Sequence, residues 1–195
     1  MIITGINDKM TYRVYDKDGQ LKRIISKFQE KQIGSDEWLR GVSCFVINEK
    51  QEILIERRVN KGLTPGKLDL CSGHLDNGEV PTQAMLRELK EELGINIEEA
   101  INVRRITKEP APLVFESLGK TKNFFIDFYS LKIAKPEKIE FQEKEIQEIL
   151  WFPMEEVFEL IRQGKTKFPK DYDYEEIFDK VRELLNNKEK NIDEK

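Results

Sequence analysis

Residues 73–95 read GHLDNGEVPTQAMLRELKEELGI. A loop bounded by glycines feeds a short helix. Pro81 suits the first helical turn, where its missing N–H leaves no bond unmade. Gly94 suits the stop after Leu93, where a positive φ is required. At about 100° per residue, Glu88, Glu91 and Glu92 share an arc of about 100°, while Leu86, Leu89 and Leu93 form an apolar stripe beside it. The pattern predicts an amphipathic helix over 81–93 whose polar face carries a cluster of one charge sign.

Like charges three and four residues apart destabilise a helix slightly. Such a face gains a use when a hard divalent cation sits among the carboxylates. Mg²⁺ takes oxygen ligands in an octahedron, uses few protein carboxylates and completes its shell with water and substrate phosphates. Glu79 in the preceding loop adds a fourth carboxylate. Arg87, at the side of the arc, is placed to pair with one glutamate and fix its rotamer. Taken alone, ELKEEL reads as an ordinary solvated helix face, and the wider spacing decides the matter.

That spacing is Gly73, five residues, Glu79, seven residues, Arg87-Glu88-Leu89, one residue, Glu91-Glu92, one residue, Gly94-Ile95. It resembles the complete signature of the Nudix family, every fixed position filled and none displaced. The resemblance implies an α/β/α sandwich with a mixed central sheet, and hydrolysis of a diphosphate linked to another moiety. It implies Glu88, Glu91 and Glu92 as the main metal-binding carboxylates, Glu79 as an assisting one and Arg87 as the residue that orients a glutamate. Gly73 and His74 join them among the expected metal-binding positions. Mg²⁺ is the expected cofactor, with Mn²⁺ as the substitute.

The rest of the chain is compatible with this reading. Its 195 residues suffice for one domain with a real core, and 38% apolar with 36% charged residues is a polar but foldable composition. The net charge of −4 and the lack of a basic segment argue against a duplex nucleic-acid surface. Cys44 and Cys71 make no disulfide framework. The start carries no basic region followed by an apolar run, and no apolar run approaches a membrane span. The expected compartment is the cytoplasm.

Read in order, Thr11–Tyr15 and Leu21–Ile25 flank the turn Asp16-Lys17-Asp18-Gly19 as a hairpin extension within 1–35. That hairpin is also the candidate for a homodimer interface. Val42–Ile47 is an almost continuous apolar run, an interior strand, expected to form a central hairpin with 52–58. A short strand over 67–71 delivers the chain to Gly73. Val114–Phe115, 122–133 and 148–152 are further strands, the second rich in aromatic and β-branched residues. Helices are expected over 154–163 and 173–187, and the charged tail 186–195 is expected to fray. Strands and helices interleave in a single α/β domain.

Arg57, Arg58 and Lys61 follow a core strand and are candidates to clamp phosphate. The run RRVNKGLTPGKLDLCSGH is similar to a Nudix subgroup related to prenyl diphosphate isomerases, in which a histidine at the place of His74, the sole histidine, helps bind metal. Those isomerases place a catalytic cysteine immediately before the Gly-His pair. Here Ser72 stands there and Cys71 lies one residue early, which turns its side chain to the other face of a strand. This departure favours hydrolysis and leaves Cys71 as core packing. In several family members a glutamate from the loop before the last strand acts as general base. Glu143, Glu145 and Glu148 lie there, with Glu145 chosen, and Glu91 or Glu92 is the alternative base. The expected function is a metal-dependent pyrophosphohydrolase acting on a small organic diphosphate. The alternatives are an isopentenyl-diphosphate isomerase-like activity and an inactive diphosphate-binding module.

Overall fold

A computed structural model describes residues 10–60, 65–117 and 120–186. The chain is built around one strand, β3 (Trp38–Ile47), whose residues are almost all buried. Its long neighbour β9 (Lys120–Ile133) runs parallel to it, from Trp38 opposite Asn123 to Ile47 opposite Lys132. The other pairings among the described strands are antiparallel. β1 (Thr11–Tyr15) and β2 (Leu21–Ser26) form the expected hairpin, which joins β3 through Tyr15 and Trp38. β7 (Ala100–Arg105) and β8 (Ala111–Ser117) share the far edge of β9. Pro112 is tolerated in β8 because that strand pairs with β9 on one side only.

Helices cover both faces of this mixed sheet, as expected for an α/β/α sandwich. Strand alternation sorts the residues. Phe45 and Ile47 of β3 and Phe128 of β9 enter the core beneath α2 (Met154–Arg162) and α3 (Glu175–Asn186). Val42, Cys44 and Val46, with Tyr129 and Leu131, enter the core beneath α1 (Pro81–Leu93). In the first core Phe158 stacks on Phe178 at 3.9 Å between ring centres and meets Phe45 edge-on at 6.3 Å. Among the described residues no helix is long and apolar enough to cross a membrane.

Two local expectations change, and one further stretch takes a definite form. The central hairpin is nearly absent, since β3 and β4 (Glu52–Arg58) pair only at Ile47 and Ile53. Beyond the turn the strands splay, and the segment before Gly73 fills the wedge. That segment is two strands rather than one. β5 (Leu68–Asp69) pairs with β4, and β6 (Cys71–His74) pairs with β3 from Cys44 to Gly41. The outer edge of β4 is taken by β10 (Ile146–Pro153). Finally, the polar stretch after β2 is a 3-10 helix, Lys27–Gln32, capped by Ser26 and Gln29. The end of the expected helix at 187, the tail beyond it and the turn residues 118–119 lie outside the described residues.

Phe158→Ala should remove the stacked pair and leave a cavity, lowering stability by about 3–5 kcal/mol. Urea denaturation followed by circular dichroism reads this loss, and a change under about 1 kcal/mol would mean that the site collapses around the gap.

Candidate metal and diphosphate site

α1 begins at Pro81 and ends at Gly94, whose φ of 65° is left-handed as expected. Its buried residues are Ala84, Met85, Leu89, Glu92 and Leu93, with Leu86 only partly covered. The buried face is therefore rotated toward the carboxylates. Glu92 faces the sheet at 3% exposure rather than solvent.

The loop before the helix is fastened by Arg87. Its guanidinium donates to Glu79 at 2.9 and 3.0 Å, to Glu88 at 2.7 Å, to Glu91 at 3.2 Å and to the carbonyl of His74 at 2.8 Å. It bridges three carboxylates, where sequence predicted one. Glu79 also accepts from the N–H of Asp76 at 2.9 Å. Glu88 lies directly over Gly73, where a Cβ would come 1.9 Å from its Oε1.

Arg58 makes the second junction. It donates to Glu92 at 3.1 Å and to Glu145 at 3.2 Å, and the N–H of Ser72 donates to Glu92 at 3.2 Å. Arg57 and Arg58, read together from sequence, separate here because consecutive strand residues face opposite sides. Arg57 pairs with Glu148 at 2.5 Å and does not line the cleft. Lys61 lies outside the described residues.

A cleft of about 430 Å³ brings together Glu88, Glu91, Glu92, Arg58, Arg87, Glu145, Gly73 and His74. Its other wall is aromatic and basic. His74 stacks on Tyr12 at 5.0 Å and meets Phe124 edge-on at 5.1 Å. Lys27, Lys122 and Lys167 also reach the cleft. Lys167 pairs with the fully buried Asp69 at 2.5 Å and also hydrogen-bonds Ser72. Burial pushes the His74 imidazole down to about 4, so the ring is neutral near pH 7. Ser72 lines the cleft, while Cys71 packs in the core beneath α1. This is the opposite facing expected of adjacent strand residues.

Sequence reading missed Glu56. It lies on β4, fully buried, and neither carboxylate oxygen makes a hydrogen bond. Among the described residues one group of three has metal-ligating atoms all within 4.8 Å of one another: Glu56, Cys71 and Glu92. The signal was a carboxylate that follows the apolar run Ile53-Leu54-Ile55 and shares the face of Leu54. Lys167 and the aromatic wall arrive from distant loops and strands, and no local pattern marks them.

Residues 37–172 match the NUDIX domain. The chain belongs to the NUDIX family. The chain is 34% identical over 79 residues to an isopentenyl-diphosphate Delta-isomerase of Corynebacterium diphtheriae, covering 40% of this chain and 43% of the relative. It is 46% identical over 48 residues to an 8-oxo-dGTP diphosphatase of Escherichia coli, covering 25% and 37%. The chain thus spans less than half the length of these curated relatives. Its fold is similar to the crystal structure of DR0079 from Deinococcus radiodurans, with a TM-score of 0.63, 21% identity and coverage of 89% and 98%.

Two outcomes follow for this NUDIX site. Gly73→Ala should displace Glu88 and weaken divalent-cation binding in calorimetric titration, and unchanged affinity would remove Gly73 from the cradle. The second concerns Glu92, which burial and the charge of Glu88 push up to about 7 against the pull of Arg58. A carboxyl that ionises less readily folded than unfolded costs the fold stability as pH rises, beginning near its ordinary value of 4.5 and complete above about 7. In metal-free protein, Glu92→Gln should therefore gain stability relative to the parent across that window. Urea melts at each end read the difference, and a constant offset would contradict the shift.

Proposed function

We propose that this chain hydrolyses the P–O–P anhydride of a small organic diphosphate with the help of a divalent cation. The observation that carries this reading is the Arg87 junction, which holds Glu88 and Glu91 at one glycine-opened wall of the cleft and ties them to Glu79 of the preceding loop. The donor set fits a hard cation, since it is rich in carboxylate oxygen and Glu88 already occupies the space that a Gly73 side chain would take. Glu88, Glu91 and Glu92, assisted by Glu79, would hold Mg²⁺ or Mn²⁺. Such an ion offsets diphosphate charge and lowers the pKa of bound water.

The chain's own residues supply the rest. Arg87 has its donors committed to the loop and helix, so it positions carboxylates rather than touching substrate. Arg58, Lys27 and Lys122 bring positive charge to the cleft and suit the phosphates. Glu145, half-exposed at the cleft and held by Arg58, would accept a proton from the attacking water.

The partial likeness to an isopentenyl-diphosphate isomerase gives a second reading, in which a double bond migrates without phosphate release. Against it stands the burial of Cys71 beneath α1, with Ser72 in the cleft.

A panel of organic diphosphates incubated with Mg²⁺ separates the two readings. Hydrolysis releases phosphate-containing products, and isomerisation converts isopentenyl diphosphate with the diphosphate intact. Glu88→Gln should lower kcat by about a hundredfold or more on the responding substrate. Full activity in this variant, with its fold verified, would sink the mechanism.

A further inference from the structure

We propose that Glu56, Cys71 and Glu92 form a separate centre for a borderline transition-metal cation of the Zn²⁺ or Co²⁺ class, sharing only Glu92 with the carboxylates that would hold Mg²⁺. The three residues come from β4, β6 and α1, and their ligand atoms all lie within 4.8 Å of one another. All three are buried, at 0%, 2% and 3% exposure.

Glu56 carries the argument. Both its oxygens lie inside the protein without a hydrogen bond, although its neighbours are a thiol and a second carboxylate. An unpaired carboxylate in such a place is expensive, and buried acids are normally paired or bound to metal. Arg58 does not relieve Glu56, because its hydrogen bonds run to Glu92 and Glu145. A cation among the three ligands would satisfy Glu56 and take a remaining lone pair of Glu92, whose two oxygens each accept one bond, from Arg58 and from the N–H of Ser72.

The sulfur selects the metal. Hard Mg²⁺ prefers oxygen ligands, whereas thiolate favours softer ions. Zn²⁺ accepts one thiolate with two carboxylates and commonly leaves a fourth position to water or substrate. Glu92 lines the cleft and provides the route inward. On binding, the Cys71 S–H bond breaks and a metal–sulfur bond forms, the thiol proton and the protons held by Glu56 and Glu92 pass to solvent, and no oxidation state changes.

The test uses the full chain stripped of metal and titrated with Co²⁺, reading the near-ultraviolet band of thiolate-to-cobalt charge transfer. The parent should develop the band with one equivalent, Cys71→Ser should lose it and Cys44→Ser should keep it. X-ray absorption of the Zn²⁺-loaded parent should show a sulfur shell near about 2.3 Å. Absence of the band at saturating Co²⁺, or its survival in Cys71→Ser, overturns the centre. Should Cys71→Ser fail to fold, Glu56→Gln replaces it and should weaken the band at equal Co²⁺. Diphosphate hydrolysis by the parent in Mg²⁺ is measured separately. Hydrolysis without the band overturns the centre alone, and the band without hydrolysis supports the centre while overturning the hydrolase reading.

Discussion

The bonds of Arg87 hold the candidate site in shape. One planar guanidinium ties the end of β6 through the carbonyl of His74, the loop through Glu79, and the helix through Glu88 and Glu91. Without it, three carboxylates in a small volume would repel one another and the loop would lose its anchor to α1. A guanidinium does this better than an ammonium because its donors form a rigid fork matching several carboxylates at once. Charge-assisted bonds of this kind are the stronger ones, and partial burial protects them from screening.

The junction needs a platform, and β3 is that platform. Its pairing with β6 sets the height of Gly73 beneath α1, and its parallel pairing with β9 brings Phe124 and Lys122 to the opposite wall. The splay between β3 and β4 then gives the site its depth. Because the two strands pair only at Ile47 and Ile53 and part beyond that point, β5 and β6 can enter between them, and Asp69 and Cys71 reach the interior with Glu56. A regular hairpin would have closed this wedge.

The buried acids show what the arrangement costs. Glu56, Asp69 and Glu92 are each pushed above the ordinary carboxylate range, with burial as the main cause in every case. Arg58 and Lys167 oppose the shift without cancelling it. A fold selected for stability alone would place apolar side chains there. Carboxyls held above their ordinary range by burial and by one another, beside a cleft, are a feature that functional sites are enriched in.

Sequence alone determined α1, its ends at Pro81 and Gly94, the interior strand β3, the aromatic strand β9 and the alternation of strand with helix. These follow from local rules: a proline fits the first turn, a glycine accepts positive φ, and apolar periodicity reports which side is covered. The spacing from Gly73 to Ile95 likewise carried the family, because the loop and helix are contiguous in the chain. Only the tertiary structure decided that Arg87 bridges three carboxylates, that Arg57 and Arg58 part company, and that Glu92 faces inward. It alone placed Glu56 beside Cys71, and Lys167 beside Asp69. The contacts of Glu56 and Lys167 join separate elements of the chain, and all of these arrangements depend on strand register and on the rotation of α1 over the sheet. No local pattern encodes either quantity, since both are settled by how the two cores pack.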